Sequence, residues 1–166
     1  IASGELAAGD KLPSVRGLTL ELQRRDPVTG EITLQNETVD PHRVGVIAVD
    51  VWNFHWCKTA TMRVDAIVPR VNKALDAARA LGMTVMLCPS DVVDNYVGYP
   101  QREAIFDLPK VTVPALVDVT CPPVPDAGGC ACGRERCAVN YGWDGMHPAL
   151  RIGESDLMPD TQAEVY

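Results

Sequence analysis

The chain has 166 residues, of which 46% are hydrophobic and 22% charged, enough apolar side chain for one buried core. Its net charge of −7 and pI near 4.9, with no lysine or arginine cluster, exclude nucleic acid and anionic membrane surfaces as main partners, since both need a basic patch. No apolar run approaches the roughly 20 residues that span a bilayer. A soluble protein is expected, with the cytoplasm and an exported location both open. The chain starts at Ile1 rather than Met, which leaves room for an upstream piece such as a cleaved leader.

Residues 3–16, SGELAAGDKLPSVR, resemble the opening of the GntR-type winged-helix repressors. The continuation departs from that pattern. Leu18, Leu20 and Leu22 alternate with other residues, as do Ile32 and Leu34, and Asp26-Pro27-Val28-Thr29-Gly30 supplies turn chemistry between them. This predicts a β-hairpin where a repressor needs a helix-turn-helix with a basic helix, so the repressor reading fails. Residues 1–40 are read as an N-terminal extension whose hairpin covers one edge of the following sheet, with an oligomer contact as the alternative.

Residues 44–88 read as a β-α-β unit. Val44, Val46, Ile47, Ala48 and Val49 form an apolar run without alternation, as expected of a strand covered on both faces. Asp50 ends it. In open α/β sheets the strands' carboxyl ends form the ligand crevice, so a carboxylate leaving strand one there is a candidate catalytic residue. The next stretch, VWNFHWCKTATMR, reads as a loop holding Trp52, Phe54 and Trp56. Val64, Ile67, Val68, Val71, Ala74, Leu75, Ala78 and Leu81 then recur at helical spacing up to Gly82, a C-terminal stop, with Pro69 at a first turn or kink. A second strand, residues 83–87, runs into Cys88-Pro89-Ser90-Asp91. Asp91 is read as a helix cap or loop carboxylate.

Past Gln101 the chain becomes irregular, and residues 109–148 form a Pro- and Cys-rich insertion. Cys121, Cys130, Cys132 and Cys137 crowd into it with Gly128, Gly129 and Gly133 between them. Such density means a disulfide-stapled loop, a structural zinc site or free thiols; C-x-C-x4-C matches zinc knuckles poorly. The end of the chain, DTQAEVY, is compatible with a helix.

At VIAVDVWNFHWC, and again at AARALGMTVMLCPSD, the sequence resembles the isochorismatase-like cysteine hydrolases. A DMWD-x-HWC type motif of that family stands where this chain has Asp50-Val51-Trp52-Asn53-Phe54-His55-Trp56-Cys57, and the likeness runs from about Leu18 to Tyr166. The resemblance implies a three-layer α/β/α sandwich with a mainly parallel sheet, as one domain over residues 1–166. It implies a small-molecule substrate of amide or related type and a homo-oligomer, or a second chain that completes the fold. It also implies a triad of an aspartate after strand one, a lysine after a later strand and a cysteine nucleophile at the start of a later helix.

Asp50 matches the first member and would pass a proton from thiol to leaving group, helped by a pKa raised through burial. No lysine stands in HPALRIGESD, where Arg151 is the cation, either a surface residue or a contact for substrate. No cysteine has the family's GVHTNMC context. Cys57 and Cys88 lack a Gly-rich strand-to-helix turn, so the nucleophile is expected beyond Tyr166. The metal-binding Asp-x-His pair of related nicotinamidases is Ser90-Asp91-Val92-Val93-Asp94 here, without the histidine, so no catalytic metal or other cofactor is expected beyond the structural zinc alternative.

Trp52, His55, Trp56 and His147 remain as candidate pocket residues. For the first three, packing of the loop around a satisfied histidine is an equal alternative; His42 is read as a surface residue. Two functions stay open, a cysteine-dependent hydrolase and a catalytically inactive α/β module for ligand binding or assembly.

Overall fold

A computed structural model describes residues 17–113 and 145–166 of the protein. These residues form a mixed α/β arrangement with a small parallel sheet and a separate antiparallel hairpin. The insertion cysteines Cys121, Cys130, Cys132 and Cys137 lie outside the described residues, as does the segment 3–16.

Strands β1 (Leu18–Arg25) and β2 (Ile32–Val39) pair antiparallel, Leu18 opposite Val39 and Arg25 opposite Ile32. Their turn is held by Asp26, whose Oδ1 accepts the N–H groups of Val28 at 2.8 Å and Thr29 at 2.7 Å, and by Gly30 at φ 73°. Those two N–H groups, Thr29's foremost, hold the Asp26 carboxyl below the usual carboxylate range. The hairpin does not cover an edge of the other sheet, against expectation, and forms its own. Register explains this. Leu18, Leu20 and Leu22 share one face, whereas Leu34 and Ile32 sit opposite Gln23 and Arg25 on the other, so neither face is apolar throughout.

Strand β3 (Gly45–Val49) and strand β4 (Thr84–Cys88) pair in parallel, Val46 beside Val85 and Ala48 beside Leu87. Between them runs helix α1 (Lys58–Ala80), a right-sized crossover for parallel neighbours. Its buried side chains Val68, Asn72, Leu75 and Ala78 fall at helical spacing and face β3 and β4, while Pro69 turns outward. Gly82, at φ 77°, ends the helix as predicted. Leu75, Leu87 and Met158 are at most 2% exposed and centre a core completed by Val85, Val92 and Tyr96. A buried Leu of this kind contributes about 1.5–3 kcal/mol.

Two expectations need correction. β3 is covered on one face only: Val46 and Ala48 are half-buried against α1, but Ile47 and Val49 are 47% and 55% exposed on the opposite face, which no helix covers among the described residues. The helix also starts at Lys58, six residues before the first apolar position of its predicted pattern, because Lys58 to Arg63 are adequate helix formers without an Asx or Ser cap to announce them.

After β4 come a 3-10 segment (Ser90–Tyr96), a short helix α2 (Pro100–Glu103), and a 3-10 turn (Ala104–Asp107). Leu157 then adds a rung beside β4: its N–H donates to Val85 O at 2.9 Å and its oxygen accepts Leu87 N–H at 2.8 Å. A last short helix, α3 (Gln162–Val165), is held by Arg102, which donates to Glu164 Oε2 at 2.6 Å and to Met158 O at 3.0 Å. No helix among the described residues is long and apolar enough to cross a membrane.

Candidate functional site

β3 and β4 end side by side, and each ends in a sharp turn. Asp50 follows β3 at φ 58° and Ser90 follows β4 at φ 50°, the only left-handed residues other than glycine among the described residues. That conformation costs a side-chain-bearing residue about 1–2 kcal/mol, and such strain gathers where a fold fixes functional groups. Asp50's N–H still closes the last rung of the sheet on Cys88 O at 3.1 Å, so its carboxylate leaves the strand at the sheet's carboxyl edge. There it is exposed. The burial expected around Asp50 is therefore absent: alternation alone would put it on the covered face with Val46 and Ala48, but its left-handed backbone breaks the alternation.

Trp52 ties the two turns together, its Nε1–H donating to Pro89 O at 2.7 Å. His55 stacks on Trp52, with ring centroids 5.8 Å apart and planes 6° apart, and meets Trp56 at 4.5 Å. The His55 Nδ1 accepts the N–H of Cys57 at 3.0 Å, and the histidine's own N–H reaches Thr61 Oγ1 at 3.0 Å. With Nδ1 accepting, a neutral His55 carries its proton on Nε2, which makes that nitrogen a donor. These contacts are those of the packing reading of the loop, with aromatic rings stacked around a hydrogen-bonded histidine.

Two cysteines stand here. Cys57 is the residue that precedes the first turn of α1, 2% exposed. Sequence reasoning denied it a helix start, because the helix was placed too late. Cys88 closes β4 half-buried, and its thiol is pushed above the usual range, mainly by burial and further by the Asp50 carboxylate. A thiol raised in this way stays protonated at neutral pH and is a weak nucleophile.

The other sequence candidates divide. His147 lies near in backbone, since its N–H donates to Val51 O at 2.8 Å, but its ring turns to α1, with Nε2 3.2 Å from Asp65 Oδ1 and Nδ1 accepting Ala149 N–H at 3.1 Å. Arg151 is elsewhere. Its backbone N–H donates to Asn72 Oδ1 at 2.9 Å and its guanidinium pairs with Asp76, eighteen residues along α1 from Lys58 and so roughly 27 Å from the helix start at 1.5 Å per residue. It is not brought to Asp50, because the segment 149–151 is clipped to the far half of the helix. Asp91 is exposed in the first turn of the 3-10 segment and does not cap it; the cap position is Pro89.

Among the described residues no three His, Cys, Asp or Glu side chains converge as a metal site. A cavity of about 560 Å³, lined by Met86, Phe106, Leu108, Leu157 and Tyr166 among others, lies against the sheet face opposite α1, away from the Asp50 turn. Comparison with protein-family models, curated proteins and solved structures finds no match to this chain.

Proposed function

We propose that the carboxyl ends of β3 and β4 form the acid/base half of an isochorismatase-like hydrolase site, set in a three-layer α/β/α sandwich and acting on a small amide-type or related substrate. The observation that supports this reading most is Asp50, a carboxylate fixed in a left-handed turn where the sheet's strands end and exposed to an incoming molecule. In the proposed reaction Asp50 takes the proton of a cysteine thiol as its sulfur attacks the substrate carbonyl carbon. The C–N bond then breaks, the leaving amine takes that proton, and a thioester remains. Water cleaves the thioester, giving the acid and restoring the thiol. In this reading His55 supplies a donor to the substrate's carbonyl oxygen.

In this reading the nucleophile stands in a strand-turn-Cys-helix unit, a context that the sequence around none of the six cysteines matches; of the two described, Cys88 is held as the thiol and Cys57 is buried. That same observation favours a second reading for the 166 residues by themselves, an α/β module that binds a ligand or assembles without turnover. The test is amide hydrolysis by a polypeptide extended through such a unit, with Asp50→Asn and iodoacetamide as controls. Turnover abolished by both supports the hydrolase. Ligand binding by calorimetry with no turnover in the extended protein would sink it and leave the module.

A further inference from the structure

Consecutive carbonyl groups at the exit of β4 take their donors from Asp50 and Trp52, just beyond β3. Cys88 O accepts Asp50 N–H at 3.1 Å, and Pro89 O accepts the Trp52 indole N–H at 2.7 Å. The chain between them is closed into a small ring, pinned at Asp50 through the backbone and at Trp52 through the side chain. The left-handed turn at Asp50, φ 58°, lies inside that ring, and Pro89 O belongs to the peptide that leads into the left-handed Ser90, φ 50°. Pro89 is under 2% exposed, so its oxygen depends on the indole, with no bulk water at hand to replace that donor.

The rest of Trp52 is engaged as well. Its backbone lies across from Met146, flanked by His147 N–H donating to Val51 O at 2.8 Å and Asn53 N–H donating to Gly145 O at 2.9 Å. Met146 N–H in turn donates to the Tyr96 hydroxyl at 2.6 Å, which ties this short ladder to the core. The His55 ring lies parallel to the indole, centroids 5.8 Å apart. An indole carries one donor and no acceptor, and here the donor is held inside the protein. Trp52 therefore offers a substrate no hydrogen bond; what it offers is rigidity.

We propose that Trp52 is a positioning residue for Asp50: its indole is a strut from the end of β3 to the Pro89–Ser90 peptide, and it sets where the Asp50 carboxylate stands at the end of β4. This rests on the reading of Asp50 as the acid/base, and gives Trp52 a role exerted through Asp50 instead of contact with substrate. A carboxylate that moves a proton must be held within about 0.5 Å of its productive place. One carried on a left-handed residue keeps that place only where the surroundings over-determine the turn, and the strut and the ladder at 145–147 do so from two sides.

Cys88 supplies a readout that needs no turnover, because burial and then the Asp50 charge raise its thiol. Replacing Trp52 by benzothienylalanine keeps the bicyclic shape and puts sulfur where the N–H stood. The pH midpoint of Cys88 alkylation should then fall toward that of Asp50→Asn. In the Asp50→Asn background the same replacement should leave the midpoint unmoved, since no charge is left to misplace. Trp52→Phe should repeat the pattern, with circular dichroism confirming the fold of each variant. An indole that merely supports the fold predicts lower thermal stability with the midpoint unchanged, or a shift of equal size with and without the Asp50 charge. Either result overturns the proposal. A protein without amidase activity would remove the hydrolase reading and leave this measurement standing, so the two fail separately.

Discussion

Asp50 and Ser90 hold the same left-handed backbone, φ 58° and 50°, at the carboxyl ends of two adjacent parallel strands. One is a carboxylate and the other a hydroxyl, and Trp52 bridges the two turns through Pro89 O at 2.7 Å. A conformation that glycine would adopt without strain is here kept by residues with side chains that can do chemistry. Asp50→Gly should therefore be more stable than Asp50→Ala by about 1 kcal/mol, since alanine keeps the left-handed strain without aspartate's tolerance of it. Urea denaturation of the two variants checks this. Equal midpoints would mean the turn stores no strain.

Cys88 reports on Asp50 directly. Its thiol is pushed up by burial first and by the Asp50 charge second. Asp50→Asn removes only the second cause, so the pH midpoint of Cys88 alkylation should fall while staying above that of an unperturbed cysteine. Peptide mass spectrometry resolves Cys88 from the other cysteines. A midpoint that does not move would show that the carboxylate lies too far away to act on this thiol.

How far the sequence revealed this site can be argued from these residues. The end of β3 and the position of Asp50 were legible because a continuous apolar run stopping at an acid has few structural alternatives. The start of α1 was not, because Cys57 makes no side-chain cap and the polar first turn of the helix looks like loop. Placing that start too late hid Cys57 as the residue that begins the helix. Arg151, read as a surface residue or a substrate contact, is an exposed residue; its partners Asn72 and Asp76 were not legible, because they lie more than seventy residues away and no local pattern encodes such a clip. The apolar run of β3 was read as a strand covered on both faces; hydropathy specifies what a strand can bury, not what is present to bury it.

The segment 151–156 is fixed to α1 by Arg79, which donates to Asp156 Oδ1 at 2.9 Å and Oδ2 at 2.6 Å. Asp156 is 2% exposed and also accepts Gly153 N–H at 2.7 Å. Removing the guanidinium leaves a buried carboxylate without its cation, so Arg79→Met should destabilise by about 3 kcal/mol, while the double variant Arg79→Met with Asp156→Leu should recover much of it. Thermal unfolding of the three proteins measures the coupling. Additive losses would contradict it.

Gly82 ends α1 at φ 77°, and a Cβ built on it would lie 2.4 Å from His42 Cε1. Two separate costs follow for Gly82→Ala, the left-handed backbone at about 1 kcal/mol and the clash with the imidazole. His42→Ala in the same protein removes only the clash. The double variant should therefore regain part of the stability and remain below the parent by the backbone cost. Recovery to the parent's level would show that the ring alone decides this residue.

Acid should loosen the end of the chain before the core. Glu164 accepts two hydrogen bonds from Arg102, at 2.6 and 3.2 Å, and the N–H of Asp160 at 2.6 Å. Arg102 foremost, with Asp160 N–H assisting against the opposing effect of burial, holds the Glu164 carboxyl below the usual glutamate range. A folded-state pKa below the unfolded value of about 4.3 means that the unfolded chain binds the proton more readily. The contribution is therefore fully present above that value and is lost as pH falls toward the lowered folded pKa. The group is partly exposed, which keeps the effect small and salt-sensitive. Hydrogen exchange in residues 158–166 should rise below about pH 4 while that of Leu75 and Leu87 does not. Glu164→Gln should show the faster exchange already at neutral pH and lose the acid step; an unchanged profile in that variant would mean that other contacts, and not the Arg102 pair, hold α3 in place.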